Sequence, residues 1–530
     1  MGSGRCAGLS ERQLAMALSS RAEIGQCFMV GFDGLEPDAH IERLIREYRM
    51  GGVILFRRNV DHPRQVAALC RRLQQINAEV SDQPLLIGID QEGGMVARIE
   101  AGMTPLPSAL AYQAAGSAAD CQALNRIGAA ELAALGINID FAPVLDVNNN
   151  RLNPVIGVRA HGEDVATVCE YGLAAMRGIQ AAGLAATAKH FPGHGDTDTD
   201  SHLGVPRVGH DRARLDAVEL APFRAAIAAG VDAVMSAHVA FPAVEPDPDT
   251  PSTLSHAVLT GLLREQLGFG GVVFTDCLEM DAIRRGVGTV TGALRAFQAG
   301  ADVLLVSHRE AVQAEAIDRL LQAVERGEVS SERLAASSAR IAALKRRLGD
   351  WRALPEDPTP LLRTPQALAL SEAVHRRAVT GHCRALDAAQ PVLLLTLEVR
   401  TRTEIDEVAM GRAAIGQAAV QRDTLAEPLA ALGYAVDEIA LPLAPTPAEI
   451  ADALARAADA PQVVVVSYNA VLFPAQRDLL AGLPAARTWL VAGRLPYDID
   501  LLPQAAGRLA CYANRPAALT VLADLLARGG

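Results

Sequence analysis

Eight short apolar runs, each followed by a stretch of helical period, constrain the fold of this chain more than any other feature. The runs cover 26–31, 52–56, 85–90, 137–143, 185–190, 233–238, 272–276 and 303–307. Between them, 39–48, 63–80, 125–135, 165–182, 215–229, 259–267 and 290–299 carry the apolar spacing of amphipathic helices. Strand and helix alternating eight times over about 300 residues predict a parallel (β/α)8 barrel of the TIM type, not an open doubly wound sheet.

A barrel of that kind presents its chemistry at the ends of its strands. Asp90, Lys189, His190, His238 and Asp276 all fall where a predicted strand stops and its loop begins. Four polar clusters from four strands therefore converge on one mouth. The densest loop runs from Lys189 to His202 and includes Pro192, Gly193 and Gly195, which neither a helix nor a central strand would accept.

After a helical stretch at 330–348, Pro355, Pro358 and Pro360 mark a linker. Further runs at 391–397, 435–439, 463–467, 488–492 and 508–512, with helical stretches such as 448–457 and 515–528, predict a smaller three-layer α/β domain. The expected organisation is a catalytic barrel over 1–350, a linker and connecting helix over 351–389, and a C-terminal domain over 390–530.

With 530 residues, half of them hydrophobic, the chain can bury more than one core. A net charge of −12 without a long basic cluster argues against nucleic acid or an anionic membrane as partner. The eight cysteines lack CxxC spacing, as expected of reduced thiols without disulfides or a zinc knuckle. The N-terminus has no apolar run of a signal peptide, and no segment approaches the roughly 18 apolar residues of a membrane span. A cytoplasmic protein, monomeric or weakly dimeric, is the expectation.

Asp276 closes the apolar run Val272-Val273-Phe274-Thr275. A carboxylate held rigidly at such a strand end suits nucleophilic attack on an anomeric carbon, and capping of the next helix is the structural alternative. In Asp200-Ser201-His202, the aspartate can fix the imidazole tautomer and leave the other nitrogen for proton transfer. A polar surface loop is the bland alternative there. Asp90 and Arg98 combine an acceptor and a donor suited to vicinal hydroxyls, or else form a purely structural pair; Arg159 is a further donor candidate.

No metal or cofactor is expected. His190 and His194 have a helical zinc offset, but Pro192, Gly193 and Gly195 exclude the helix. Asp196, Asp198 and Asp200 imitate an EF-hand start, which fails at Ser201 and Arg207. His194 and Asp196 are instead expected to shape the loop through backbone hydrogen bonds. No GxGxxG or GxxxxGK[ST] loop is present, so nucleotide binding is unsupported.

The run Lys189-His190-Phe191-Pro192-Gly193-His194-Gly195, with Asp200-Ser201-His202, Asp90-Gln91-Glu92-Gly93-Gly94 and Thr275-Asp276, resembles the β-N-acetylhexosaminidases of glycoside hydrolase family 3. The second domain, with Arg494-Leu495-Pro496-Tyr497-Asp498, is similar to that of the longer, two-domain members. The resemblance implies a retaining exo-β-N-acetylglucosaminidase with Asp276 as nucleophile and His202 as acid/base, assisted by Asp200. It implies that Asp90, Arg98, Arg159, Lys189 and His190 hold a terminal N-acetylglucosamine. Muropeptides or chito-oligosaccharides are the implied substrates, and a phosphorylase on the same scaffold and a non-catalytic sugar-binding protein are the alternatives. One position departs from the pattern: Met95 stands where the family pattern has arginine.

Overall fold

A computed structural model of the chain describes residues 21–197, 205–398 and 424–530. The strands β1 (Phe28–Val30), β2 (Gly52–Leu55), β3 (Leu86–Ile89), β4 (Ile139–Asp140), β5 (Ala185–Phe191), β6 (Ala233–Ser236), β7 (Val272–Phe274) and β8 (Leu304–Val306) lie side by side in chain order. All their pairings are parallel. β1 pairs with both β2 and β8, and a bridge between Phe274 and Val303 joins β7 to β8, closing the ring. Each strand lies within its predicted run, except that β5 continues one residue further, to Phe191.

The strands read as continuous apolar runs because neither face is wet. Every residue of β1, β2, β3 and β5 is buried, with inward side chains filling the barrel and outward ones meeting the helices. Inside, the rings of Phe141 and Phe274 meet edge to face at 5.5 Å. Gly88 makes room for this pair, since a β-carbon there would come within 2.8 Å of the Phe141 ring. The helices begin at side-chain caps: Asp38 accepts from Ile41 N ahead of Ala39–Tyr48, and Asp164 accepts from Thr167 N ahead of Val165–Ala181. Each such cap contributes about 1 kcal/mol.

Beyond the linker, the helix Pro365–Ala378 docks on the barrel, with Val374 among Tyr112, Cys121 and Leu124. A second sheet follows, built from β9 (Thr380–Cys383), β10 (Val392–Glu398), β11 (Val436–Pro442), β12 (Gln462–Ser467), β13 (Thr488–Ala492) and β14 (Gly507–Ala510). Its order is β9-β14-β13-β12-β10-β11, with β9 antiparallel to β14 and the rest parallel. The five predicted strands are present with slightly shifted ends. β9, a sixth, was not predicted.

Successive residues of this sheet enter different cores. Leu393, Leu395, Val463 and Val465 face one apolar cluster, while Val392, Leu394, Val464 and Val466 face another. That period of two, with helices over both faces, makes three layers. The first cluster also takes in Met95, Leu110, Ala111 and Val158 from the barrel, so the two sheets share one apolar seam. Met95 is thereby a contact with the second domain, and its carbonyl accepts from Arg515 Nη2 at 3.1 Å. Among the described residues, no helix is long and apolar enough to cross a membrane.

Candidate active site

In a closed parallel barrel all strand C-termini share one rim. Asp90 follows β3 directly, Lys189 and His190 lie in the last residues of β5, and Asp276 and His308 each stand two residues past β7 and β8. Contacts connect the two sides of this rim. The Arg98 guanidinium lies 5.8 Å from the centre of the Phe56 ring, which meets His308 at 5.1 Å. Ser307 Oγ, in turn, is 2.9 Å from His308 Nδ1 and 2.8 Å from Cys277 Sγ, beside Asp276.

The β3–β5 side is a network of buried charges. Lys189 Nζ sits 2.7 Å from Asp90 Oδ1 and 2.6 Å from Glu92 Oε1. Arg159 donates to both oxygens of Glu92, at 2.8 and 2.7 Å, a planar fork matched to a carboxylate. Arg98 Nη2 lies 3.4 Å from Asp90 Oδ2. Burial alone would push Asp90 and Glu92 up. Lys189 and Arg98 nonetheless hold Asp90 below the usual carboxylate range, and Arg159 and Lys189 do the same for Glu92. Burial likewise opposes the charges of Lys189 and Arg159, yet these carboxylates keep both pKa values raised. Asp140, at the end of β4, has no such cation at hydrogen-bond distance among the described residues. It accepts from Gln91 N at 3.0 Å, and burial pushes it up to about 7.

The loop leaving β5 is tied down by neighbours. His190 Nδ1 is 2.7 Å from Asp146 Oδ2, and Asp146 Oδ1 accepts from His194 N at 2.7 Å. The Asn153 amide donates to the carbonyls of His194 and Gly195. Position 195 takes only glycine, because a β-carbon would fall 1.8 Å from Val147 O. His194 shapes the loop through its backbone N–H and carbonyl, as expected, whereas Asp196 is held through its side chain. His194 Nδ1 pairs with Thr197 Oγ1 at 2.8 Å, and the Asp196 carboxylate pairs with His210. Asp200 and His202 lie outside the described residues.

On the β7–β8 side, Asp276 is half-buried and its Oδ1 accepts from Cys277 N at 2.7 Å. It caps no helix, since the next one, Asp281–Arg284, follows Met280. His238 is fully buried and packed, bonding Thr253 Oγ1 and the Cys277 carbonyl, each at 2.8 Å.

The structure thus brings Asp90, Arg98, Arg159, Lys189 and His190 together and places Asp276 on the same rim. Sequence reasoning missed Glu92, which joins Lys189 to Arg159, and Asp146, which orients His190. Their signal was present: Glu92 lies inside the Asp90–Gly94 motif, and Asp140 and Asp146 flank the end of the fourth apolar run. It also left open what the second domain does here. The Tyr497 hydroxyl donates to Glu163 and accepts from Asn148 Nδ2 at 3.3 Å, and Asn148 Oδ1 accepts from Gly157 N at 3.1 Å. Tyr497 therefore braces the short turn Gly157–Arg159 that carries Arg159. A cavity of about 470 Å³ lies behind the hairpin at Gln91, between the barrel and the second domain, and Asp90, Arg159, Lys189 and Asp276 do not line it.

Comparison with known proteins gives a consistent picture. Residues 19–344 match the model of the glycosyl hydrolase family 3 N-terminal domain. The chain is 39% identical over 282 residues to beta-hexosaminidase A of Pseudoalteromonas piscicida, a match covering 50% of this chain and 47% of that protein. It thus spans about half the length of that relative. With the beta-hexosaminidase of Vibrio cholerae serotype O1 (strain M66-2) it shares 39% identity over 289 residues, 54% of this chain and 84% of that one. The solved structure of a glycoside hydrolase family 3 beta-N-acetylglucosaminidase from Paenibacillus sp. str. FPU-7 superposes with a TM-score of 0.88 at 46% identity, covering 96% of each chain.

Proposed function

We propose, from the premise that the chain belongs to glycosyl hydrolase family 3 and is a glycoside hydrolase, that it is a retaining exo-β-N-acetylglucosaminidase. The observation that carries this reading is the rim itself, with a paired, buried set of polar groups on one side and a half-buried carboxylate on the other. Of the charged groups on the first side, Asp90 is the most accessible, with 15% of its side chain exposed against 2% for Lys189, 6% for Arg98 and 8% for Arg159. Asp90 therefore takes the sugar hydroxyls, while Lys189 and Arg98 keep it ionised and aimed. Arg159 and His190, 3.4 Å apart beside this network, receive the remaining hydroxyl and acetamido groups.

Asp276 attacks C1 while His202, its tautomer fixed by Asp200, protonates the departing oxygen. The C1–Asp276 bond forms as the glycosidic bond breaks, giving a glycosyl-aspartate. His202 then takes a proton from water, whose oxygen displaces Asp276, and the sugar leaves with its β configuration. Acid–base assistance of this kind is worth on the order of 10²–10⁴-fold. Muropeptide fragments and chito-oligosaccharides with a terminal N-acetylglucosamine are the proposed substrates; similarity to beta-hexosaminidases and a beta-N-acetylglucosaminidase supports the terminal sugar.

Product analysis with an aryl N-acetylglucosaminide and with chitobiose, with and without phosphate, tests the reading. Free N-acetylglucosamine released first as the β-anomer is the expected product. Sugar 1-phosphate as the product would overturn hydrolysis, and sugar binding without turnover would overturn catalysis.

A further inference from the structure

The ends of β7 and β8 carry a second cluster that the proposed reaction does not use. Cys277, Glu279 and His308 place one sulfur, one carboxylate oxygen and one imidazole nitrogen within 4.8 Å of one another. Cys277 Sγ and His308 Nδ1 are 3.8 Å apart, as are His308 Nδ1 and Glu279 Oε2. In a tetrahedral zinc site, bonds of about 2.3 Å to sulfur and about 2.0–2.2 Å to nitrogen and oxygen put neighbouring ligand atoms roughly 3.3–3.6 Å apart. The cluster is within a few tenths of an ångström of that spacing for both measured pairs.

The ligands are also held in place. Glu279 is fully buried; its Oε1 takes Arg309 Nε at 2.8 Å, and its Oε2 takes His308 N at 2.6 Å. Arg309 N is shared between Oε1 at 3.1 Å and Oε2 at 3.4 Å, so Oε2 offers its second lone pair to a cation once that amide settles on Oε1. Ser307 Oγ bonds both the thiol and the same imidazole nitrogen, so a bound cation takes the place of that hydroxyl on Nδ1. The mixed sulfur, nitrogen and oxygen set suits a borderline cation such as zinc and disfavours magnesium or calcium. The Glu279 carboxylate already pairs with Arg309, so the thiolate and the carboxylate offset a divalent charge only in part. None of the three belongs to the His190–Asp200 loop, where the sequence gives no expectation of a metal.

We propose that Cys277, Glu279 and His308 form a binding site for a divalent cation of the zinc class, and that occupancy inhibits turnover. The Cys277 thiol gives its proton to solvent as the metal–sulfur bond forms, and the lone pair of His308 Nδ1 completes the protein ligands. The route to inhibition is short, because Cys277 N donates to Asp276 Oδ1 and His238 holds the Cys277 carbonyl. Drawing Sγ toward a metal shifts the peptide that positions the nucleophile. Only the inhibitory half rests on the glycosidase reading.

Metal-stripped full-length protein titrated with Cd²⁺ should show one equivalent bound and the ultraviolet charge-transfer band of a cadmium–thiolate. Zn²⁺ should compete for that site and suppress turnover of an aryl N-acetylglucosaminide. Cys277→Ala and His308→Gln, each checked for folding by circular dichroism, should weaken binding by more than roughly 100-fold, the upper end of what outer-shell changes cost. Cys277→Ala should also lose the band and the zinc inhibition. No bound equivalent in the wild type, or a band that persists in Cys277→Ala, overturns the site. Binding without inhibition, or zinc inhibition that persists in Cys277→Ala, overturns the coupling. A protein that binds cadmium as described but never turns over the glycoside would contradict the glycosidase reading and leave the site standing.

Discussion

On the β3–β5 side of the rim, Lys189, Asp90, Glu92, Arg159 and Arg98 satisfy one another. On the β7–β8 side, Cys277, next to Asp276 in the chain, carries a thiol that meets the Ser307 hydroxyl, which in turn meets the His308 imidazole. The first arrangement lowers the pKa of its carboxylates against burial and fixes side chains to within a hydrogen bond, as recognition of a polyol requires. The second gives its carboxylate one backbone donor from Cys277 and partial exposure. Charges that hold each other are stability elements as well as binding elements, so damage on the two sides should read out differently.

The largest effect should come from the reactive side. Asp276→Ala should lower kcat at least roughly 10⁴-fold, the scale on which loss of a nucleophile is felt, with the melting temperature nearly unchanged. An equal loss of kcat from removing a β3–β5 charge, with no change in melting, would erase the distinction. Glu92→Ala should cost about 3–5 kcal/mol of folding stability, because it strips partners from the buried Lys189 and Arg159. Chemical denaturation measures this directly.

A smaller and pH-dependent effect belongs to Asp140. Its folded pKa, about 7, lies above the unfolded carboxyl value of roughly 4, so the folded state holds the proton more tightly. The stability this contributes is fully present below about pH 4 and is lost as pH rises through 7. Asp140→Asn, which keeps an acceptor for Gln91 N, should flatten that decline, and melts at pH 4, 6 and 8 would show it. The smallest effect should come from Tyr497→Phe. Losing a hydrogen bond of about 1 kcal/mol in the brace behind Arg159 should raise KM a few-fold and leave kcat unchanged.

The barrel was legible because parallel strands buried on both faces must be written as short apolar runs, and the strand ends could then be read off residue by residue. β9 was not. Thr380-Gly381-His382-Cys383 has no apolar run, since it is an antiparallel edge strand whose pairing with β14 supplies what its side chains do not. The site divides the same way. Asp90, Lys189 and Asp276 announce themselves at strand ends, whereas Glu92 acquires its importance from two cations far along the chain. Tyr497 stands in a run that the sequence singles out, but its role could not be read there, because it exists only once the second domain is docked. Met95 was visible as a departure from a motif, but only the shared apolar seam explains it.

The most direct test of this division is to trap the intermediate. The protein should be treated with a fluorinated N-acetylglucosaminyl inactivator, digested, and the labelled peptide sequenced by mass spectrometry. Attachment to Asp276 is the predicted result. A label on any other side chain, or full inactivation with Asp276 unmodified, would contradict it.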